Sequence, residues 1–128
     1  MDPSANRKTG DDVSKNERIL EIEKQIAATL WVQAVAQITE AILLAKLLDL
    51  KGETEGERKI LTGVWVQTIG QTIEVLAVTK EISAVDPEII REAQKIIVAA
   101  DLLQSAGAAI EAVGGKQVIT EAPGGFVP

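Results

Sequence analysis

The 128-residue sequence contains no cysteine, no histidine and no tyrosine, and its aromatic residues are two tryptophans and one phenylalanine. Because there is no cysteine, the chain forms no disulfide and offers no thiol nucleophile or thiolate metal ligand. Because there is no histidine, it lacks the commonest acid–base catalyst near neutral pH and the Glu-x-x-His pairs of di-iron bundles. We therefore expect a protein that is not an enzyme, with no catalytic residue, no cofactor and no metal site.

Positive charge is also scarce. The chain has 13 lysine and arginine residues against 19 aspartate and glutamate residues, a net charge of −6 and a pI near 4.7. Since nucleic-acid binding needs an excess of basic residues on one face, we exclude a nucleic-acid partner. The first 24 residues are polar and charged, without the apolar core of a signal peptide. We expect the protein to be cytoplasmic, or to assemble after leaving the cytoplasm.

What the sequence does contain is a ten-residue near-repeat. Residues 31–40 (WVQAVAQITE) return as 65–74 (WVQTIGQTIE), and again in degenerate form as 102–111 (LLQSAGAAIE). The shared glutamine stands at positions 33, 67 and 104, so the period is 34 residues and then 37. Such a period indicates one supersecondary unit used several times, with each unit burying its apolar face against its neighbours.

Three long helices are predicted around these repeats. Residues 17–50 have apolar residues at helical spacing and no proline or glycine, which predicts the first helix. A second helix is expected over residues 57–82. Asp86 followed by Pro87 is a strong helix start, and the third helix is expected to cover residues 87–113. Because the connections are short, neighbouring helices should be antiparallel. We predict an all-α protein of three long antiparallel helices, either as a bundle or as a flat layer completed by oligomerisation.

The predicted domain organisation has three parts. Residues 1–16 are polar and are interpreted as a flexible N-terminal arm, because they offer little apolar surface to bury. Residues 17–115 form the three-helix repeat domain, and residues 116–128 form an extended tail framed by proline and glycine, with 117–120 as a short extended segment. Residues 53–57 are interpreted as a solvated acidic loop, since they lack the ligand spacing of a calcium site.

A polar stripe follows one face of each predicted helix. In the second helix a glycine, a glutamine, another glycine and a glutamate recur at alternating spacings of 4 and 3 residues. The other two helices repeat the pattern with alanine or threonine at some of the small-residue positions. The stripe consists of Thr29, Gln33, Ala36 and Glu40 in the first helix, Gly63, Gln67, Gly70, Glu74, Ala77 and Glu81 in the second, and Ala100, Gln104, Gly107 and Glu111 in the third.

The stripe has two interpretations. It is either the solvated face of amphipathic helices, or a helix or subunit contact in which Gly63, Gly70 and Gly107 allow close approach while glutamines fix the register. A solvated face has no need of glycine, which costs about 0.8–1 kcal/mol relative to alanine inside a helix. Gln37 and Gln71, which also repeat, belong to the same candidate contact.

The few aromatic residues are candidate anchors. Trp31 and Trp65 occupy equivalent repeat positions, which favours a packing role in the core or an interface. Phe126 and Val127 stand in the tail, and one hypothesis is that they dock on a neighbouring subunit, the alternative being a frayed end.

Residues 60–79 are a candidate membrane span. Their length matches a bilayer, and Glu74 is their one charged residue. The carboxylate, two glutamines and two glycines largely cancel the insertion free energy of the aliphatic residues. The first and third helices carry more charges and are expected to suit a membrane less. We therefore favour a soluble protein and keep membrane association as a minority interpretation.

Two segments resemble a known type of sequence. Residues 63–71 (GVWVQTIGQ) and 103–114 (LQSAGAAIEAVG) resemble the units of uncharacterised "repetitive protein" families of spore-forming Gram-positive bacteria, in which W-[IV]-Q-A-[IV]-G and L-Q-A-x-G recur. The likeness covers about half of the chain, and the first unit departs from it with Ala36 in place of glycine. The resemblance implies a bacterial helical repeat protein and brings no activity with it.

The sequence predicts a structural protein. Long helices with more apolar surface than one bundle can bury favour self-association, into a homo-oligomer or a higher-order assembly whose partner is the protein itself. Two alternatives stay open: a membrane-associated helical oligomer that forms a pore or remodels the membrane, and a small helical adaptor that binds a protein partner.

Overall fold

The computed structural model describes the backbone of residues 3–121 and 124–128, and the side chains in those ranges from Thr9 onward. Its helices are α1 (Pro3–Lys51), α2 (Glu55–Ser83) and α3 (Pro87–Glu121), and the described residues contain no strand. The prediction of an all-α protein with three long helices is confirmed.

Helix α2 lies between the other two helices and is antiparallel to both. Near its C-terminus, Thr79 Oγ1 accepts a hydrogen bond of 3.1 Å from Nε1 of Trp31 in α1. Near its N-terminus, Gly56 lies against Gly114 and Val118 of α3. Across the described residues, no Cα atom of α1 lies within 8 Å of a Cα atom of α3. The outer helices therefore leave a groove between them, along α2.

The aliphatic core lies near the connection between α1 and α2. All three helices contribute to it, and Leu61 packs against its edge. Burial of these side chains removes apolar surface from water and is the main force that holds the helices together. The core consists of Ala41, Leu44, Leu48, Ile60, Val64 and Val118.

Residues at the helix ends determine where both connections between the helices begin and end. Gly52 follows α1 with a φ of +79°, a left-handed conformation that glycine adopts without strain. Thr54 caps α2: its hydroxyl accepts the N–H of Glu57, and the Glu57 carboxylate accepts the N–H of Thr54, each at 3.3 Å. Before α3, the Asp86 carboxylate accepts the N–H of Glu88 at 3.0 Å, and the helix begins at Pro87 as its sequence predicts.

Helix α1 begins earlier than predicted. The described part of the predicted flexible arm, residues 1–16, is helical from Pro3, and residues 9–16 are exposed. Extending an existing helix costs far less than nucleating one, so a polar segment without an internal proline continues the helix that starts the repeat domain. Met1 and Asp2 lie outside the described residues.

Helix α3 ends later than predicted. It continues through Gly114 and Gly115 to Glu121, so the predicted extended segment 117–120 and the start of the predicted tail are helical. Both glycines are buried, and a Cβ atom on Gly114 would lie 2.7 Å from the carbonyl O of Gly56. The glycine pair serves close packing and does not end the helix. Ala122 and Pro123 lie outside the described residues.

The acidic segment 53–57 is not a solvated loop throughout. Gly56 is buried in the first turn of α2, and Glu57 there has an exposed fraction of only 2%. The Lys51 ammonium pairs with its carboxylate, and this bond lowers the pKa of Glu57 below the ordinary value of 4.5. Burial acts in the opposite direction, and hydrogen bonds from Thr54 support the lowering. Glu57 therefore joins the end of α1 to the start of α2.

Candidate functional site

The stripes of α2 and α3 lie where these two helices approach each other most closely. A Cβ atom built on Gly63 would lie 2.5 Å from the backbone N of Glu111 and 2.6 Å from the carbonyl O of Gly107. One built on Gly107 would lie 2.7 Å from the backbone N of Gln67. Neither backbone has room for a methyl group, so the contact requires glycine at these positions.

Small residues recur every seven positions along both sides of this contact. A seven-residue repeat keeps one seam of each helix facing its partner over several turns. All eight residues of the seam are buried. The seam consists of Gly56, Gly63, Gly70 and Ala77 in α2, and of Ala93, Ala100, Gly107 and Gly114 in α3. Ala77, Gly63, Gly70, Ala100 and Gly107 belong to the predicted stripes, whereas Gly56, Ala93 and Gly114 do not, although the seven-residue spacing that identifies them is present in the sequence.

Two hydrogen bonds connect the stripes symmetrically. Gln67 Nε2 donates to Glu111 Oε2 at 2.5 Å, and Gln104 Nε2 donates to Glu74 Oε2 at 2.7 Å. We call these two bonds the Gln–Glu clasp. Each helix gives one donor and one acceptor, so exchanging the helices would reproduce the arrangement. Hydrogen bonds to a charged acceptor are stronger than neutral ones, and the clasp therefore fixes the register of α2 against α3.

The remaining candidate contact residues lie toward α1. Trp31 bonds to α2 through its indole N–H, yet 42% of its surface is exposed, and Trp65 is 38% exposed. The carbonyl O of Gln37 lies 3.5 Å from the hydroxyl of Thr68. Gln71 is buried, and its amide nitrogen has no hydrogen-bond partner among the described residues. Trp31 and Gln37 therefore contact α2, and both tryptophans keep an exposed face.

The stripe of α1 is not covered by α2 or α3, and the tail residues Phe126 and Pro128 lie beside its Ala36 and Glu40. Thr29, Gln33, Ala36 and Glu40 are all exposed. In the part of the chain that the structure describes, the side chains of Gln33 and Glu40 form no hydrogen bond or ion pair. The structure therefore brings together the stripes of α2 and α3 and leaves the equivalent stripe of α1 open to solvent.

The C-terminal residues 124–128 fold back onto the outer helices of their own chain. Phe126 lies beside Leu43 of α1, at the edge of a shallow pocket. Val127 lies against α3. Its Cγ1 atom is 3.3 Å from the position that a Cβ atom on Gly115 would occupy. The tail thus lies against both outer helices, whose backbones do not approach each other closely. Docking of Phe126 and Val127 on a neighbouring subunit stays a prediction.

Large apolar side chains cover the outer faces of α1 and α3. Contiguous exposed apolar surface of this kind marks interaction sites in soluble proteins. In α1 the exposed set extends along most of the helix and includes Ile19, Leu20, Ile22, Ile26, Val32, Val35, Ile42, Leu43, Leu47 and Leu50. In α3 it includes Ile89, Ile96, Val98, Leu102, Val113 and Ile119.

The same outer helices contain the segments that best match a membrane span. Two helices, Thr9–Lys51 and Pro87–Glu121, are long and apolar enough to cross a membrane by length and composition alone, and 11% of each apolar window is buried. By length and composition, the first and third helices match a membrane span better than residues 60–79, contrary to the prediction. Their charged residues are spaced widely enough to leave long apolar runs between them.

The acidic side chains of the described ranges do not gather into a metal site. No three acidic side chains lie close enough to hold a metal ion there. The carboxylates of Glu74 and Glu111 each accept a glutamine amide, and Glu40 lies apart from them on α1. No protein-family model matches the chain, and no curated protein or solved structure matches it. The resemblance to the repetitive-protein families stays a prediction.

Proposed function

We propose that this protein is a non-enzymatic structural protein that self-associates through the exposed faces of its outer helices. The observation that carries the proposal is the apolar surface of α1. This helix has 49 residues, contacts the rest of the chain along one side and exposes large aliphatic residues on the others. Interfaces between identical subunits are richer in apolar area than ordinary protein surface, so a second copy is the partner that this face fits best.

The polar residues support a structural role as well. The amides and carboxylates of the α2–α3 contact bond to each other, which fixes the register of packed helices. Each subunit is thereby a rigid pair of helices to which α1 adds a long outer surface. A building block for a homo-oligomer or a larger assembly needs these two properties.

Light scattering on the full-length protein tests the proposal. We expect a mass in detergent-free buffer, after size-exclusion chromatography at micromolar concentration, that is a multiple of the 13.6 kDa chain. A mild nonionic detergent should lower that mass by competing for the apolar faces. A mass of one chain at every concentration would contradict the proposal.

A membrane-associated helical oligomer is the second candidate, favoured by the two apolar windows in α1 and α3. Flotation with neutral phosphatidylcholine vesicles separates it from the first. The self-association proposal expects the protein to stay at the bottom of the gradient, and co-flotation of most of the protein would favour the membrane.

A helical adaptor is supported by one feature, the open end of the groove between α1 and α3. The groove has a volume of about 630 Å³ and is lined by aliphatic side chains from all three helices, including Leu30, Val78 and Ile97. A protein that stays monomeric and does not float with vesicles would leave this groove as the binding surface for a different protein.

A further inference from the structure

We infer that two copies of this chain pair through the open stripe of α1, antiparallel about a two-fold axis, with Gln33 of each copy donating to Glu40 of the other. The inference rests on the proposed self-association and specifies its partner and its register. Its starting point is that the same sequence pattern occurs three times, and the structure shows what the pattern does when it is paired.

The α2–α3 contact is the template. Each of its helices carries a glutamine followed seven residues later by a glutamate, and in the antiparallel pair each glutamine reaches the glutamate of the other helix. Helix α1 has the same order and spacing in Gln33 and Glu40. A second copy of α1, placed antiparallel, supplies the missing acceptor and donor at the same time. The pair would then form a Gln–Glu clasp with true two-fold symmetry.

Apolar residues extend the α1 stripe in both directions. Ile22 and Ile26 precede it and Leu43 and Leu47 follow it, all exposed and all at the alternating spacing of 4 and 3. Because this spacing is symmetric about its centre, an antiparallel second copy sets Ile22 against Leu47 and Ile26 against Leu43. The result is an antiparallel coiled-coil seam about 38 Å long, apolar at both ends and polar in the middle.

Ala36 sets the distance between the two helices. It occupies the position of Gly70, where a Cβ atom would come within 2.7 Å of Cγ of Gln104. Two α1 helices must therefore lie slightly farther apart than α2 and α3. Ala100 is buried at a small-residue position of the α2–α3 seam, so alanine is compatible with such a contact. The long side chains of Gln33 and Glu40 span the added distance.

The polar centre of the seam selects a second copy over lipid. In a bilayer Gln33 and Glu40 would lose water without gaining partners, which is costly for an amide and more costly for a carboxylate. In the antiparallel pair each is hydrogen-bonded. Phe126 and Pro128 of the tail line one pocket with Ala36, Glu40, Leu43 and Leu47, so the second copy would displace this part of the tail from the stripe.

A charge exchange tests the contact. Gln33→Glu places a carboxylate opposite Glu40 of the other copy, and the symmetry of the dimer produces this repulsion at two positions. We expect a rise of at least about 30-fold in the dimer Kd measured by sedimentation equilibrium. The double variant Gln33→Glu/Glu40→Gln restores one donor and one acceptor per pair, and its Kd should return to within about 5-fold of the original. Ser105→Glu adds the same charge on an exposed face of α3 and should leave the Kd unchanged. Circular dichroism checks that every variant folds.

The helix direction is tested separately. The chain has no cysteine, so a Lys46→Cys variant takes a single spin label. The antiparallel seam places the two labels of a dimer about 35 Å apart along the helix axis, whereas parallel helices would hold them at the same height. A short distance would overturn the inferred register.

The possible failures are distinguishable. If Gln33→Glu associates as tightly as the unmodified chain, the α1 stripe is not the interface, although self-association stands. If the unmodified chain is monomeric at every concentration, the proposed function and this inference fail together.

Discussion

At the scale of single residues, the absence of a side chain at Gly63 and at Gly107 determines how closely α2 and α3 pack. The sequence shows glycines in a polar stripe, but it does not show which face of a helix is covered, so it does not separate the solvated from the packed interpretation. The distances around Gly63 and Gly107 separate them, because no Cβ atom fits there. The clasp between Gln67 and Glu111 likewise depends on a helix register that sequence spacing alone does not determine.

Gly63→Ala should destabilise the fold. The added methyl group meets the backbone of α3, which cannot rotate away, so we expect a loss of about 1–3 kcal/mol in the free energy of unfolding. Gly10→Ala is the matched control, since Gly10 is in α1 with nothing within 4 Å, and it should gain about 0.5–1 kcal/mol. Urea titration followed by circular dichroism, at one fixed protein concentration, measures both. Equal effects of the two substitutions would mean that α2 and α3 do not pack this closely.

Glu57 should make stability depend on pH in the acidic range. Its pKa in the folded protein is lowered by Lys51, so the unfolded chain takes up a proton first as pH falls. The stabilisation is fully present above the ordinary value of 4.5 and is lost as pH falls through the lower folded pKa. Urea titrations from pH 7 to pH 3 should therefore show a steeper loss for the unmodified chain than for Glu57→Gln.

Glu55→Gln is the control for that comparison. Glu55 is exposed and lies 3.9 Å from Lys59 in a surface ion pair, which contributes little. Its removal should leave the pH profile nearly unchanged. A profile for Glu57→Gln that matches the unmodified chain would show that the Lys51 pair does not stabilise the fold.

At the scale of helices, number and type follow from the sequence, while the ends do not. Hydrophobic periodicity predicts three helices, and Asp86 with Pro87 predicts the start of α3. The pair Gly114 and Gly115 has the appearance of a stop signal, because glycine is common just after helices. Here Gly114 is required by the close approach of α2, and Gly115 lies under Val127 of the tail, so tertiary contacts that local propensity does not contain decide the helix end.

Val118 tests the extended end of α3. It is buried in the core, whereas the adjacent Ile119 is 73% exposed. Val118→Ala should lower the free energy of unfolding by about 1–3 kcal/mol, and Ile119→Ala should change it by less than about 0.5 kcal/mol. Thermal unfolding at matched concentration measures the difference. A larger effect of Ile119→Ala would place the helix in another rotation or end it earlier.

At the scale of the whole molecule, three similar repeats have two different outcomes. The second and third pack against each other and satisfy their polar stripes internally, while the first contacts α2 through the adjacent side of its helix and leaves the side chains of its stripe without hydrogen bonds. The repeat pattern predicts a shared packing mode, but an odd number of units leaves one unit unpaired. Which unit is left over depends on the three-dimensional order of the helices, with α2 between the other two.

The unpaired repeat makes a prediction for the assembled state. Val32 and Val35 lie on exposed faces of α1, so replacing either by glutamate tests whether association also uses surface outside the stripe. Val85→Glu, at a position that is 92% exposed in the connection before α3, is the control. If the stripe is the interface, all three variants should have a similar assembly size in light scattering. A smaller size for Val32→Glu alone would assign that face to a second contact.

Sedimentation velocity of the full-length protein without detergent, from submicromolar to about 100 micromolar, tests the central claim most directly. Self-association predicts a sedimentation coefficient that rises with concentration from that of the 13.6 kDa chain to that of a dimer or a larger species. A single, concentration-independent monomer boundary across the whole range would contradict it.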